Sequence, residues 1–225
     1  MRLIKVSLLS LTFLIIYSMQ DSYSQNSNNE SGETEWVLSE ILRSGRQGMR
    51  ILGNPKIVKS EFGDAVRFDG KEDAIFLDET PLFGLEQFTI EMLFRPDVKG
   101  NFEQRFFHSG EISGDRLLIE LRATSKDWYL DSFIKCGEEG ETLIEPKLLH
   151  PLGKWYHIAF VVNKGKLSSY VNGVNELNGQ MNMTPLGMGQ TSIGVRQNEI
   201  SWFKGAIYKV RINPVAIEPE SFMKF

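Results

Sequence analysis

In an extended strand alternate side chains face opposite sides of a sheet, so charged residues two apart in an apolar run gather on one face. The run Arg116 to Arg122, RLLIELR, has this form: Leu117, Ile119 and Leu121 make an apolar face, which leaves Leu118, Glu120 and Arg122 on the other. In Trp128 to Ile134, Tyr129, Asp131 and Phe133 alternate with Leu130, Ser132 and Ile134, and farther on Trp155 and His157 alternate with Tyr156, Ile158 and Phe160. Toward the C-terminus Arg196 follows Ser192 and Gly194, while Trp202, Lys204, Ala206 and Tyr208 share one parity. One face of one sheet is thereby expected to carry Glu120, Arg122, Tyr129, Asp131, His157, Arg196, Lys204 and Tyr208. Aromatic rings that cover the apolar side of a sugar, next to charged groups that bond its hydroxyls, make a carbohydrate site. The plainer alternative is a solvated sheet face on which Glu120 and Arg122 form a surface ion pair of little worth. A histidine in an apolar strand, such as His157, is more often a hydrogen-bonded core residue than a catalyst. His108 and His150 have no ligand partners at short spacing, so no zinc site is expected.

The elements that must position these residues are short. Apolar or alternating runs occur at 65–68, 74–77, 88–94, 105–108, 116–122, 128–134, 155–162, 167–171, 191–195 and 203–212, separated by Gly, Pro, Asn and Asp. No amphipathic helix longer than a turn or two interrupts them; Val37 to Leu42 reads equally as a strand or a helical turn. Such spacing predicts an all-β sandwich or barrel. The clearest unit is KWYHIAFVVNKGKLSSYVNG, residues 154–173, a hairpin whose turns at Asn163-Lys164-Gly165 and Asn172-Gly173 supply residues that tolerate positive φ.

This hairpin resembles the laminin-G-like, concanavalin A-like jelly-roll family, at Trp155, His157, Ile158 and Ala159 and again at Tyr170, Val171, Asn172 and Gly173. Gly63-Asp64-Ala65-Val66-Arg67-Phe68-Asp69-Gly70, Phe88-Thr89-Ile90-Glu91 with Arg95-Pro96, and Ser192-Ile193-Gly194 with Phe203 to Ile207 and Val210 to Ile212 are similar to its other core strands, in family order. The resemblance implies a two-sheet antiparallel jelly-roll sandwich. It does not fix a function, because lectins, adhesion modules, glycosidases and lyases share this fold. No carboxylate set matches the calcium sites of some relatives and the cysteine pair of laminin-type modules is absent, so no cofactor is expected and calcium is left as an open alternative.

Two enzyme templates on this fold bear on the sequence. Jelly-roll glycosidases carry two carboxylates aimed at one bond from a Glu-x-Asp strand, and that run is absent. The alginate-lyase type is matched in part by Glu120-Leu121-Arg122, by Tyr156-His157 and by Trp202-Phe203-Lys204-Gly205-Ala206-Ile207-Tyr208. That resemblance implies neutralisation of a uronate carboxylate by Arg122, proton removal by His157 or Tyr208 and protonation of the leaving oxygen by Tyr208. The glutamine expected before the histidine is missing.

The chain has 225 residues. Residues 1–24 have the form of a secretory signal peptide: basic Arg2 and Lys5, an apolar run from Val6 to Tyr17 and small residues at Ser22 and Ser24. Residues 25–35, QNSNNESGETE, read as a flexible linker, leaving 36–225 as one jelly-roll domain. Loss of residues 1–24 takes the formal charge from -4 to -5, which argues against nucleic-acid or anionic-membrane partners. The lone Cys136 can form no internal disulfide and is expected to be buried. The sequence thus predicts a secreted or periplasmic module that binds a polysaccharide or glycan on the concave sheet through Glu120, Arg122, Tyr129, Asp131, Arg196, Trp202 and Lys204. The alternatives are a lyase or glycoside hydrolase using His157 and Tyr208, and a module for another exported protein in which exposed Trp128 and Trp202 form a flat patch.

Overall fold

The computed structural model describes residues 32–224. The expected signal peptide, and the linker as far as residue 31, lie outside the described residues. The last two linker residues are already ordered pairing partners: β1 (Thr34–Val37) runs antiparallel to β16 (Lys204–Asn213). The ambiguous stretch after it is both things in turn, because β1 ends at Val37 and a short helix, α1 (Leu38–Ser44), begins with buried Leu38 and closes at Gly45 in the left-handed region.

Two antiparallel sheets follow. The first has the order β14 (Val174–Gln180), β13 (Lys166–Val171), β12 (Tyr156–Asn163), β6 (Gln87–Pro96), β16, β4 (Gly63–Asp69) and β3 (Lys56–Ser60). The second runs β10 (Glu139–Ile144), β9 (Asp127–Cys136), β8 (Arg116–Ala123), β7 (Glu103–Gly110), β15 (Gln190–Ile193), β5 (Ala74–Leu77) and β2 (Met49–Leu52). The two-residue β11 (His150–Pro151) pairs with β9. This is the expected all-β jelly-roll sandwich, and each of the ten strand candidates is found.

Alternation decides what each strand buries. Leu117, Ile119 and Leu121 of β8 and Tyr156, Ile158 and Phe160 of β12 point into the space between the sheets, where all six are buried. A column of rings joins the layers: Phe94 of β6 stacks on Phe106 of β7 at 4.6 Å, meets Trp128 of β9 edge-on at 5.2 Å, and Phe203 packs on Phe106 at 5.2 Å. These contacts hold the middle of the second sheet against the first. The hairpin of β12 and β13 closes through Lys164 and Gly165 at φ 48° and 89°, as the sequence predicts, and β13 turns into β14 through Asn172 and Gly173 at 51° and 78°. A side chain at Gly165 would put a Cβ 2.2 Å from the Met181 carbonyl oxygen. Cys136 is buried beside Met183.

Strand β7 departs from alternation. Arg105 stands opposite Glu120 and Phe107 opposite Ile119, so Phe106 is an extra residue, a β-bulge. The bulge lets Phe106 and Phe107 both enter the core while Arg105 and His108 both face outward.

Candidate arginine and carboxylate cleft

The outward side chains of β7, β8, β9 and β10, with Arg196 from the segment after β15, surround a cleft of about 220 Å³ lined by Arg105, Arg116, Leu118, Glu120, Arg122, Asp131, Phe133, Thr142 and Arg196. Cross-strand pairing sets its centre, since Glu120 lies opposite both Arg105 and Asp131 in the ladders. Arg105 Nε donates to Glu120 Oε1 at 2.8 Å, and its Nη1 reaches Glu103 and the Ser201 hydroxyl. Arg122 Nη2 meets Asp131 Oδ2 at 2.6 Å, with Glu103 Oε2 2.9 Å and Glu120 Oε2 3.3 Å from its Nη1. Glu120 Oε2 and Arg122 Nη1 nevertheless have no partner of hydrogen-bond geometry, and neither do the buried Nε atoms of Arg116 and Arg196.

Burial dominates the carboxylates at the bottom. It lifts Glu120 above its ordinary pKa, with Asp131 adding to the effect against the pull of Arg105 and Arg122. Asp131 is raised for the same reason, against Arg122 and Arg105. Glu103 is shallower: burial works on it too, but the Ser201 hydroxyl, Arg105 and Arg122 together outweigh burial and hold it below the usual value. Beside the cleft, His108 is fixed between two backbone groups. Its Nδ1 accepts from Gln197 N–H at 3.2 Å, so the proton sits on Nε2 and is donated to the Glu111 carbonyl at 3.0 Å. Burial lowers its pKa to about 4.

Of the residues expected to form the ligand site, Glu120, Arg122, Asp131 and Arg196 line this cleft. Tyr129 stands opposite Arg122 in the ladder but is buried and does not line it. Trp202 lies toward the other edge of the same sheet, packed on Phe76 and Val195 with Leu52. Lys204 belongs to the first sheet, where it lines a separate groove with Arg67, Asp69 and Asp73. The expectation that eight residues share one sheet face is therefore corrected: the second sheet holds one group and the first sheet the other. Arg105, Arg116, Phe133 and Thr142 complete the cleft unannounced. Arg116 has the parity of Glu120 and Arg122, so alternation contained the signal; Arg105 was hidden by the bulge.

The two candidate catalytic residues fall on the first sheet. His157 is fully buried, its Nε2 2.9 Å from Glu91 Oε1. Glu91 Oε2 accepts from Arg211 Nε at 2.7 Å, and Glu91 Oε1 also takes the backbone N–H of Met223 at 2.6 Å. Burial opposes the ionised Glu91, but His157, Met223 N–H and Arg211 outweigh it and keep its pKa below the ordinary value. The 3-10 turn η1 (Pro219–Ser221) then brings the Phe222 ring within 5.7 Å of His157. His157 is thus buried between Glu91 and the C-terminal segment. Tyr208 is two strands away, on β16 with β6 between, and packs on Phe62 and Gly63. Glu120 and Arg122 are across the sandwich from both, on sheets about 10 Å apart, so the lyase-like set does not meet in space. Trp128, expected as an exposed aromatic, is fully buried in the ring column. Among the described residues no three His, Cys, Asp or Glu side chains cluster as a metal site, and no helix is long and apolar enough to cross a membrane.

Residues 69–221 match the family described as the concanavalin A-like lectin/glucanases superfamily. Among solved structures the chain is similar to domain 4 of AbnA, a GH43 extracellular arabinanase from Geobacillus stearothermophilus in complex with arabinotriose. The identity is 23%, with 76% of this chain and 84% of that one covered and a TM-score of 0.59. It is also similar to a heptameric SAP-like pentraxin from Limulus polyphemus (18% identity, 69% and 77% covered, TM-score 0.55). A third likeness is to the binding domain of botulinum neurotoxin serotype D (13% identity, 76% and 44% covered, TM-score 0.56). At these identities the likeness is one of fold. No curated protein sequence matches the chain.

Proposed function

Because the chain belongs to the concanavalin A-like lectin/glucanases superfamily, we propose that it is an exported module that binds a polysaccharide or glycan, without cleaving it, in the cleft over β7 to β10. The observation that carries this reading is a cleft wall dense in charged groups in which the buried Nε atoms of Arg116 and Arg196 have no hydrogen-bond acceptor. Buried polar atoms without partners are costly in a folded chain, and a ligand rich in hydroxyls supplies both donors and acceptors. Phe133, half-buried in the same wall beside the Arg116 guanidinium, adds an aromatic ring against which a sugar can pack. The ion pairs that hold Arg105 and Arg122 fix the polar groups before the ligand arrives, which lowers the entropy cost of binding. That a domain of this fold is known with arabinotriose is in keeping with a saccharide ligand.

Calorimetric titration of the protein with a panel of polysaccharides and oligosaccharides tests this. A saturable heat is expected, with affinity falling about fivefold in Phe133→Ala, since ring stacking contributes on the order of 1 kcal/mol. Absence of binding across the panel overturns the reading. Release of unsaturated sugar ends, seen as new ultraviolet absorbance, overturns its non-catalytic part.

A further inference from the structure

The cleft does not treat its four arginines alike. Arg105 and Arg122 are matched by Glu103, Glu120 and Asp131. Arg116 and Arg196 line the same cleft, yet among the described residues neither has a carboxylate within ion-pair distance. Both are instead held by one loop, residues 111–115 between β7 and β8. Arg116 Nη1 donates to the carbonyls of Ser113 at 2.9 Å and Gly114 at 2.7 Å, and Arg196 Nη2 donates to that of Ile112 at 3.1 Å. The loop is pinned by the Glu111 N–H on the Asp115 carbonyl at 2.8 Å, and the Phe133 ring backs the Arg116 guanidinium at 4.9 Å. Each Nε is buried with no acceptor.

Two like charges brought together and partly desolvated are an unfavourable arrangement for the empty protein. Burial, and after it the charge of Arg196, hold the pKa of Arg116 below the usual guanidinium value. A sugar hydroxyl could accept a hydrogen bond here but would do little against the repulsion between the two guanidinium groups, which Glu120 offsets only in part at Arg116. A carboxylate or sulfate compensates them and accepts from two guanidinium forks at once. Resting on the glycan reading of this cleft, we propose that its ligand is an anionic glycan whose carboxylate or sulfate group sits between Arg116 and Arg196. The three carboxylates beside the pair and the formal net charge of -4 disfavour a dense polyphosphate such as a nucleic acid. They suit a polymer with isolated charges, whose hydroxyls can donate to Glu103, Glu120 and Asp131.

Two matched polymer pairs decide the matter: polygalacturonate against its methyl ester, and dextran sulfate against dextran, each titrated into the protein at low and physiological salt. At least one acidic polymer is expected to bind about tenfold or more tightly than its neutral twin, with the advantage shrinking as salt rises. Which pair shows it distinguishes carboxylate from sulfate. Arg116→Gln and Arg196→Gln should abolish the advantage, while Arg196→Lys, which keeps charge but not the fork, should retain part of it. In NMR spectra, sodium sulfate or glucuronate should shift the Nε–H signals of Arg116 and Arg196 and leave those of Arg43 and Arg46 unmoved. Equal binding of acidic and neutral twins overturns the proposal, as does an unchanged preference in the two Gln variants when their thermal midpoints show them folded. If neutral polymers bind and lose affinity in Phe133→Ala only, the glycan reading stands and the anionic ligand falls. If no polymer binds and neither anion moves the two signals, both fall.

Discussion

Arg122 Nη2 lies 2.6 Å from Asp131 Oδ2, both side chains largely buried, at the junction of β8 and β9. Because burial already raises Asp131, removing its counter-charge leaves an acid that cannot stay ionised cheaply. Arg122→Ala is expected to cost about 3 kcal/mol of stability and Asp131→Asn less, since a neutral amide removes the stranded charge. Denaturant melts of the two single variants and the double variant would give a favourable coupling energy; additive losses would mean that the pair is not a pair in solution.

His108 gives the fold a pH signature. Its native pKa of about 4 is below the ordinary imidazole value of 6.5, so between those values the unfolded chain binds a proton that the native protein does not. Its contribution is complete above about pH 6.5 and is lost as pH falls toward 4, amounting to about 3 kcal/mol. Glu120 and Asp131, with raised pKa values, act in the opposite sense, gaining stability as pH falls. The comparison is therefore the difference between wild type and His108→Gln: it should shrink as pH falls through this window, and a constant difference would contradict the assignment.

On the first sheet, His157→Gln disturbs Glu91 and the seat of Phe222 together. A loss of about 2–3 kcal/mol in stability is expected from the buried, charge-assisted hydrogen bond. Glycan affinity of His157→Gln and of Tyr208→Phe should stay within about twofold of wild type, because the cleft is on the other sheet. A selective loss of affinity in either would move the site to the first sheet.

Gly165→Ala tests the hairpin. The new Cβ would meet the Met181 carbonyl oxygen at 2.2 Å in a residue with φ of 89°, whereas at Gly153, with φ of 80°, nothing lies within 4 Å. About 2 kcal/mol or more is expected at Gly165 and about 1 kcal/mol at Gly153, where only backbone strain is added. Thermal midpoints order the two variants; a reversed order would contradict the close packing of this turn.

The strands were legible because their apolar residues alternate and their turns carry Gly and Asn, as at Lys164-Gly165 and Asn172-Gly173. The faces of individual strands were legible for the same reason, which is why Glu120, Arg122 and Asp131 were placed together. What alternation cannot state is which sheet a strand joins. His157 and Tyr208 have the parity of outward residues, but β12 and β16 belong to the first sheet and β8 and β9 to the second, a fact of long-range pairing. Short polar strands such as β3 and β14 escaped notice because most of their side chains meet water or lie only partly buried.

The extra residue in β7 also says where this chain can change length. Loss of Phe106 would join Arg105 and Phe107 in a regular ladder, with Arg105 still opposite Glu120 and His108 still opposite Leu118. A one-residue deletion elsewhere in the strand would turn every following side chain to the wrong side of the sheet. At this position the damage falls on the ring column, through the Phe94 and Phe203 contacts, and descendants that lost the residue could keep the charged surface while rebuilding the interior beneath it.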